Sequence, residues 1–218
     1  MLRILALALC LFLPLPARAC DTALVLAIDV SGSIDAGEYR LQSQGLADAL
    51  LDPEVAEVLV QGQVALAVVH WSGSGRQALV QPWQRMLSFE AVRRFSDAAR
   101  AMPRAFTGSD TAVGEAISFS LAQFPAVADC RRRVIDISGD GQENAGFTVT
   151  RARADAIAAE VEINAIAIED AGLPAPVSAF YAKWVITPGG FVMVSRGLQA
   201  YPETLRLKLL RELVKPVG

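Results

Sequence analysis

Uninterrupted apolar runs alternate with segments of helical periodicity along most of this chain. Leu24 to Ile28 has no polar break, as expected of a strand covered on both faces; a half-exposed strand would alternate instead. Ile34 to Leu51 then sets Leu41, Gly45 and Ala49 on one helical face, and Pro53 closes the segment. Val64 to Trp71 reads as a second strand. Ser72-Gly73-Ser74-Gly75 reads as a hairpin turn leading into an edge strand, Gln77 to Gln81, that Pro82 ends. Phe89 to Met102, with Val92, Phe95 and Ala99 inward, and Thr111 to Phe124 have helical periodicity. Val134 to Ile137 is the next buried strand, Thr148 to Glu160 an Ala-rich helix and Ile163 to Ile168 a further strand. A short helix near Val177 to Lys183, a strand at Phe191 to Val194 and an amphipathic helix from Pro202 to Leu213 complete the pattern. The alternation predicts an α/β fold: a doubly wound, mostly parallel central sheet with an antiparallel edge strand and helices on both faces.

The first residues do not belong to that pattern. Arg3, an apolar block from Ile4 to Leu15, Pro16 and Ala17-Arg18-Ala19 form a secretory signal with an A-x-A cleavage site. The expected division is therefore a signal peptide over 1–19 and a single domain over 20–218. The block is too short for a transmembrane span, and no later run approaches the roughly 20 apolar residues one requires. The expected protein is exported, periplasmic or secreted from a bacterium. Losing Arg3 and Arg18 reduces 20 basic residues to 18, against 23 acidic ones. The expectation for this mildly acidic chain is that nucleic acid is not a partner, because phosphate binding calls for a basic patch. Cys10 leaves with the signal, so Cys20 and Cys130 remain as a pair in an oxidising compartment. A lipid anchor on Cys20 competes with that reading but is the weaker one, since Ala17 and Arg18 stand where lipid-attachment sites carry an aliphatic and a small residue.

Ligands of doubly wound sheets bind beyond the carboxyl ends of the strands, and three loops at that edge carry oxygen donors. Asp29-Val30-Ser31-Gly32-Ser33 follows the first strand and offers a carboxylate and two hydroxyls. Ser138-Gly139-Asp140-Gly141 follows the Val134 strand with a carboxylate in a glycine-bracketed turn. Thr107-Gly108-Ser109-Asp110-Thr111 precedes a helix. Hard divalent cations take such oxygen ligands. In isolation these residues also suit turns that bond their own backbone.

With these residues in place, the chain resembles the von Willebrand factor A domain, whose metal-ion-dependent adhesion site is built from D-x-S-x-S, a threonine and an aspartate in a D-G turn. Asp29, Ser31 and Ser33 match the first element, Thr111 the threonine and Asp140-Gly141 the last. Trp71-Ser72, Pro82-Trp83, Val134 to Gly141 and Val185 to Val192 narrow the resemblance to a bacterial exported family of this fold, DUF1194. The resemblance implies a binding module. Asp29, Ser31, Ser33, Thr111 and Asp140 would hold a divalent cation, Mg2+ foremost, with Mn2+ or Ca2+ also suited, and a protein partner would offer an acidic residue to it. With few direct carboxylates the ion keeps positive charge for that external ligand. In the A-domain sheet the Leu24 and Val134 strands are parallel neighbours, which implies a Cys20–Cys130 disulfide at the end opposite the cation. Two departures are visible: Gly139 stands where many A domains carry threonine, and Thr187-Pro188-Gly189-Gly190 differs from the narrower family's glycine-rich turn. Partner identity and oligomeric state are left open.

A hydrolase is the alternative, with Ser31 or Ser33 as nucleophile and His70 as base, or with a metal-activated water. His70, the single histidine, reads better as a core or strand-end residue, and the G-x-S-x-G elbow is missing from the sequence. Asp136 lies inside an apolar strand and calls for a buried partner, because an unpaired buried carboxylate is costly. Trp71, Trp83 and Trp184 read as core or hairpin packing, and Arg131-Arg132-Arg133 as a solvated strand entry.

Overall fold

The computed structural model describes residues 20–108, 110–170 and 175–214; the expected signal peptide lies outside them. Six strands form one sheet in the order β3-β2-β1-β4-β5-β6. These are β1 (Thr22–Asp29), β2 (Ala65–Trp71), β3 (Gln77–Arg85), β4 (Arg132–Gly139), β5 (Glu162–Glu169) and β6 (Val192–Arg196). Only β3 runs antiparallel, against β2. Alternate β1 residues explain its unbroken apolar run: Leu24, Leu26 and Ile28 enter one core, and Ala23, Val25 and Ala27 the other. Helices α1 (Ala36–Leu51), α2 (Pro53–Gln61), α3 (Phe89–Arg100) and α7 (Tyr201–Leu213) line the first core. On the other side lie α4 (Val113–Leu121), α5 (Val149–Ala158) and α6 (Val177–Phe180). The doubly wound architecture is as the sequence pattern predicts.

Several boundaries are corrected. Pro53 closes nothing: it opens α2, a helix the periodicity did not reveal. Asp52 caps that helix by accepting from the Glu54 and Val55 N–H groups, and proline suits the first helical position, whose N–H would be unpaired in any case. Pro82 does not end β3 either. The strand continues to Arg85, with register shifts against β2 near Val68 and Gln81, because an edge strand tolerates a residue that cannot donate. α1 begins at Ala36, where Asp35 and Glu38 form a reciprocal capping box. α4 stops at Leu121, and Phe124–Val127 forms a separate 3-10 turn. α6 passes into one π turn, Tyr181–Val185, closed by the Ile186 N–H donating to the Tyr181 carbonyl at 3.1 Å.

Cys20 and Cys130 are bonded, with Cα atoms 4.5 Å apart. The β1–β4 register, Thr22 opposite Arg132, extends to place them side by side at the end of the sheet remote from Asp29. Asp136 has its partner: Lys208 on α7, whose Nζ lies 2.6 Å from Asp136 Oδ1 and 2.6 Å from Glu212 Oε1, all three side chains buried. Trp71 is buried and Trp83 packs on Phe124 while donating to the Gln123 carbonyl. Trp184 departs from its expected packing role: it is 41 % exposed, with the Lys183 ammonium over its ring. Arg131, Arg132 and Arg133 pair with Asp21, Glu162 and Glu160 at the strand entry. Among the described residues no helix is long and apolar enough to cross a membrane.

Candidate metal centre

Strand β1 delivers Asp29 at its carboxyl end, fully buried, next to Trp71 of β2. The chain then turns sharply. The Ser31 N–H donates to Asp29 Oδ1 at 2.7 Å, an Asx-type closure that aspartate favours. Arg104, in the segment after α3, clamps the loop from outside by donating to the Val30 and Ser31 carbonyls at 2.8 and 2.7 Å. Gln42 of α1 donates to the Asp29 carbonyl. The loop is thus held by groups from two other elements before any ligand is considered.

The remaining donors join it in sequence. Ser31 Oγ lies 3.2 Å from Ser33 Oγ, and Ser33 Oγ donates to Asp140 Oδ1 at 2.8 Å, which ties the loop after β1 to the loop after β4. Asp140 is followed by Gly141, where a Cβ would stand 3.3 Å from Thr111 Oγ1. Only a small residue brings the two loops so close. Thr111 is held through its backbone: its N–H donates to Asn144 Oδ1 at 2.8 Å, and its carbonyl accepts from the Asn144 and Ala145 N–H groups. The carbonyl of Ser72, just past β2, accepts from Ala112. All five residues singled out in the sequence therefore gather at one rim.

The electrostatics of the rim are strained without a countercharge. Burial, with the charge of Asp140 second, pushes the Asp29 carboxyl up to about 7, against the stabilising effect of its Ser31 bonds. Asp140 is also raised, chiefly by burial and further by Glu38. Asp29 Oδ2 is buried with no hydrogen-bond partner among the described residues. Two inward carboxylates and three hydroxyls, one carboxylate oxygen unsatisfied, are the donor set a hard cation takes. Among the described residues no group of three or more His, Cys, Asp or Glu side chains is placed to hold a metal ion, so the candidate donor set here is two carboxylates completed by hydroxyls.

Sequence reading missed four contributors: Arg104, Asn144, Glu143 and Tyr181. The Glu143 carboxylate accepts from the Gly114 N–H at 2.9 Å and from the Thr148 and Val149 N–H groups. Tyr181 is fully buried, its hydroxyl beside Gly139. His70 is a core histidine as expected: it is buried, packs edge-on against Tyr39, accepts from the Ala105 N–H at 3.4 Å, and is pushed down to about 4 by burial and the nearby Arg104 charge.

Strand order, the single antiparallel edge and the loop cluster at the carboxyl end define a von Willebrand factor A-type fold, and solved structures agree. A von Willebrand factor type A protein from Catenulispora acidiphila superposes with a TM-score of 0.64 at 17% identity, covering 91% of this chain and 44% of that one. The pilus adhesin SpaC from Lactobacillus rhamnosus GG gives 0.68 at 12% identity, covering 90% and 31%. Proximal thread matrix protein 1 from the mussel byssus, in a form with a zinc-occupied MIDAS motif, gives 0.59 at 16% identity, covering 88% and 46%. This chain spans less than half the length of each of these three. No curated protein sequence matched the chain. Residues 19–217 match the family model described as a protein of unknown function, DUF1194, and the chain belongs to that family.

Proposed function

We propose that this protein is an exported binding module in which a divalent cation, held by Asp29, Ser31, Ser33, Thr111 and Asp140, engages an acidic residue of a protein partner. The observation that carries this reading is the linked set of donors in which the Ser31 N–H bonds Asp29, Ser31 Oγ meets Ser33 Oγ and Ser33 bonds Asp140 of a second loop, with Asp29 Oδ2 left buried and unsatisfied beside it. A bound cation would relieve the mutual repulsion of Asp29 and Asp140 and leave positive charge facing outward. Mg2+ suits the site best, Mn2+ and Ca2+ next; the zinc-occupied motif of the mussel protein supports a cation there without choosing among them. Removal of residues 1–19 and export to an oxidising compartment belong to the same proposal, supported by the Cys20–Cys130 bond. The hydrolase alternative gains nothing from His70, whose ring is enclosed by Tyr39 and Ala105.

Ligands that bind only the folded state raise its stability by mass action. Chelator-stripped protein should therefore melt higher in millimolar Mg2+ or Mn2+, and Asp29→Ala should abolish the rise. A pull-down from envelope extract should recover a partner in Mg2+ that is lost in chelator. Identical melting with and without cation would refute the proposal.

A further inference from the structure

We propose that Tyr181 is a positioning residue of the cation site, its hydroxyl donating to the inner oxygen of Asp29 in the cation-bound protein; this rests on the reading of Asp29 as a cation ligand. A Cβ built on Gly139 would lie 2.6 Å from the Tyr181 hydroxyl oxygen, 2.9 Å from Asp29 Oδ2 and 3.2 Å from the Trp71 ring. The hydroxyl and the carboxylate oxygen thus share one small space, roofed by the indole. Neither has a hydrogen-bond partner among the described residues, and both are buried. One is a donor and the other, when ionised, purely an acceptor. A phenol is protonated near neutral pH and so carries the proton it would donate.

The chain invests specific features in this placement. Tyr181 opens the π turn that follows α6, and single π turns recur at functional sites. The α6 start is fastened by Ser178, whose N–H and hydroxyl both donate to the Glu169 carboxylate at 2.9 Å. Gly139 is the matching half: any side chain there would collide with the tyrosine oxygen and the Asp29 carboxylate. For packing alone phenylalanine would serve better, since a buried hydroxyl without a partner costs stability. The hydroxyl is explained by what it does for Asp29, whose other oxygen is already fixed by the Ser31 N–H.

Groups that orient a metal ligand typically change affinity by about 10- to 100-fold when removed. Tyr181→Phe in the mature protein, titrated calorimetrically with Mn2+ after chelator treatment, should bind at least about tenfold more weakly than wild type. In chelator the same variant should melt at the wild-type temperature or above it, because it loses only an unsatisfied hydroxyl. Wild type, but not the variant, should show a tyrosine near-UV difference signal on adding Mn2+. Wild-type-like Mn2+ affinity in Tyr181→Phe would overturn this inference and leave the cation site standing; a wild type that does not bind Mn2+ would overturn both.

Discussion

Glu143 does for two helices what neither does for itself. Neither α4 nor α5 has a capping side chain at its own N-cap, and the Glu143 carboxylate accepts from Gly114 in one and Val149 in the other. A cap contributes about 0.5–2 kcal/mol, and negative charge at a helix N-terminus adds to it. Glu143→Ala should lower unfolding free energy by about 2 kcal/mol, read from urea denaturation, with Glu143→Gln intermediate. Because Asn144 next to it holds the Thr111 backbone, the Ala variant should also bind cation more weakly. Asp29, Ser31, Ser33 and Asp140 were legible because each sits in a short motif whose spacing carries the chemistry. Arg104 and Tyr181 were not, because each acts on residues far from it in the chain; Glu143 lies only five and six residues before the N–H groups of Thr148 and Val149, but its reach to Gly114 had no local mark.

Helix α7 is fastened to the sheet by an ionic cluster. Lys208 meets Asp136 of β4 and Glu212 one turn on, while Asn164 of β5 donates to Glu212 Oε1 at 2.9 Å. One ammonium serves two buried carboxylates. Burial, with the charge of Asp136 adding, pushes Glu212 up to about 7; Asp136 is raised by burial against the pull of Lys208. A carboxyl raised on folding binds more protons folded than unfolded, so its stabilisation is full below the unfolded value near 4.5 and fades as pH climbs through about 7. His70, held down to about 4, acts in the opposite sense and costs stability as pH falls below its unfolded value of 6.5. Glu212→Gln removes the first effect only. Relative to wild type, its melting temperature should therefore gain steadily from pH 4.5 to 7 in a series at fixed ionic strength; a constant difference would show that Glu212 does not titrate there. Asp136 could be flagged in sequence as needing a partner, yet Lys208 could not, since on a wheel it reads as one more polar position of an amphipathic helix. The same limit hid α2: a proline after a helical run marks an end or a beginning equally well, and only the Asp52 cap distinguishes them.

Across the molecule the disulfide and the candidate cation site occupy opposite ends of one sheet. Closing a separation of 110 residues restricts the unfolded chain by about 4–5 kcal/mol in the chain-entropy model. Cys20→Ser with Cys130→Ser should lower the melting temperature markedly while leaving Mn2+ affinity unchanged, because the full length of β1 and β4 separates the two. Intact mass and a non-reducing peptide map of exported protein should show a chain starting at Cys20 in a Cys20–Cys130 pair; free thiols or a lipid mass would refute that. The pairing could be anticipated only through the resemblance to the A domain, whose strand order makes β1 and β4 neighbours; the alternation of apolar runs gives the strands but not their order, and the structure shows the adjacency. The sides of the sheet have a different consequence. β3 is broken in register and carries Pro82, and β6, spanning Val192–Arg196, is short; such features blunt edge-to-edge pairing. With both flanks blunted in this way, the sheet should resist lateral zipping to a second strand, so concentrated protein should stay free of edge-to-edge polymers.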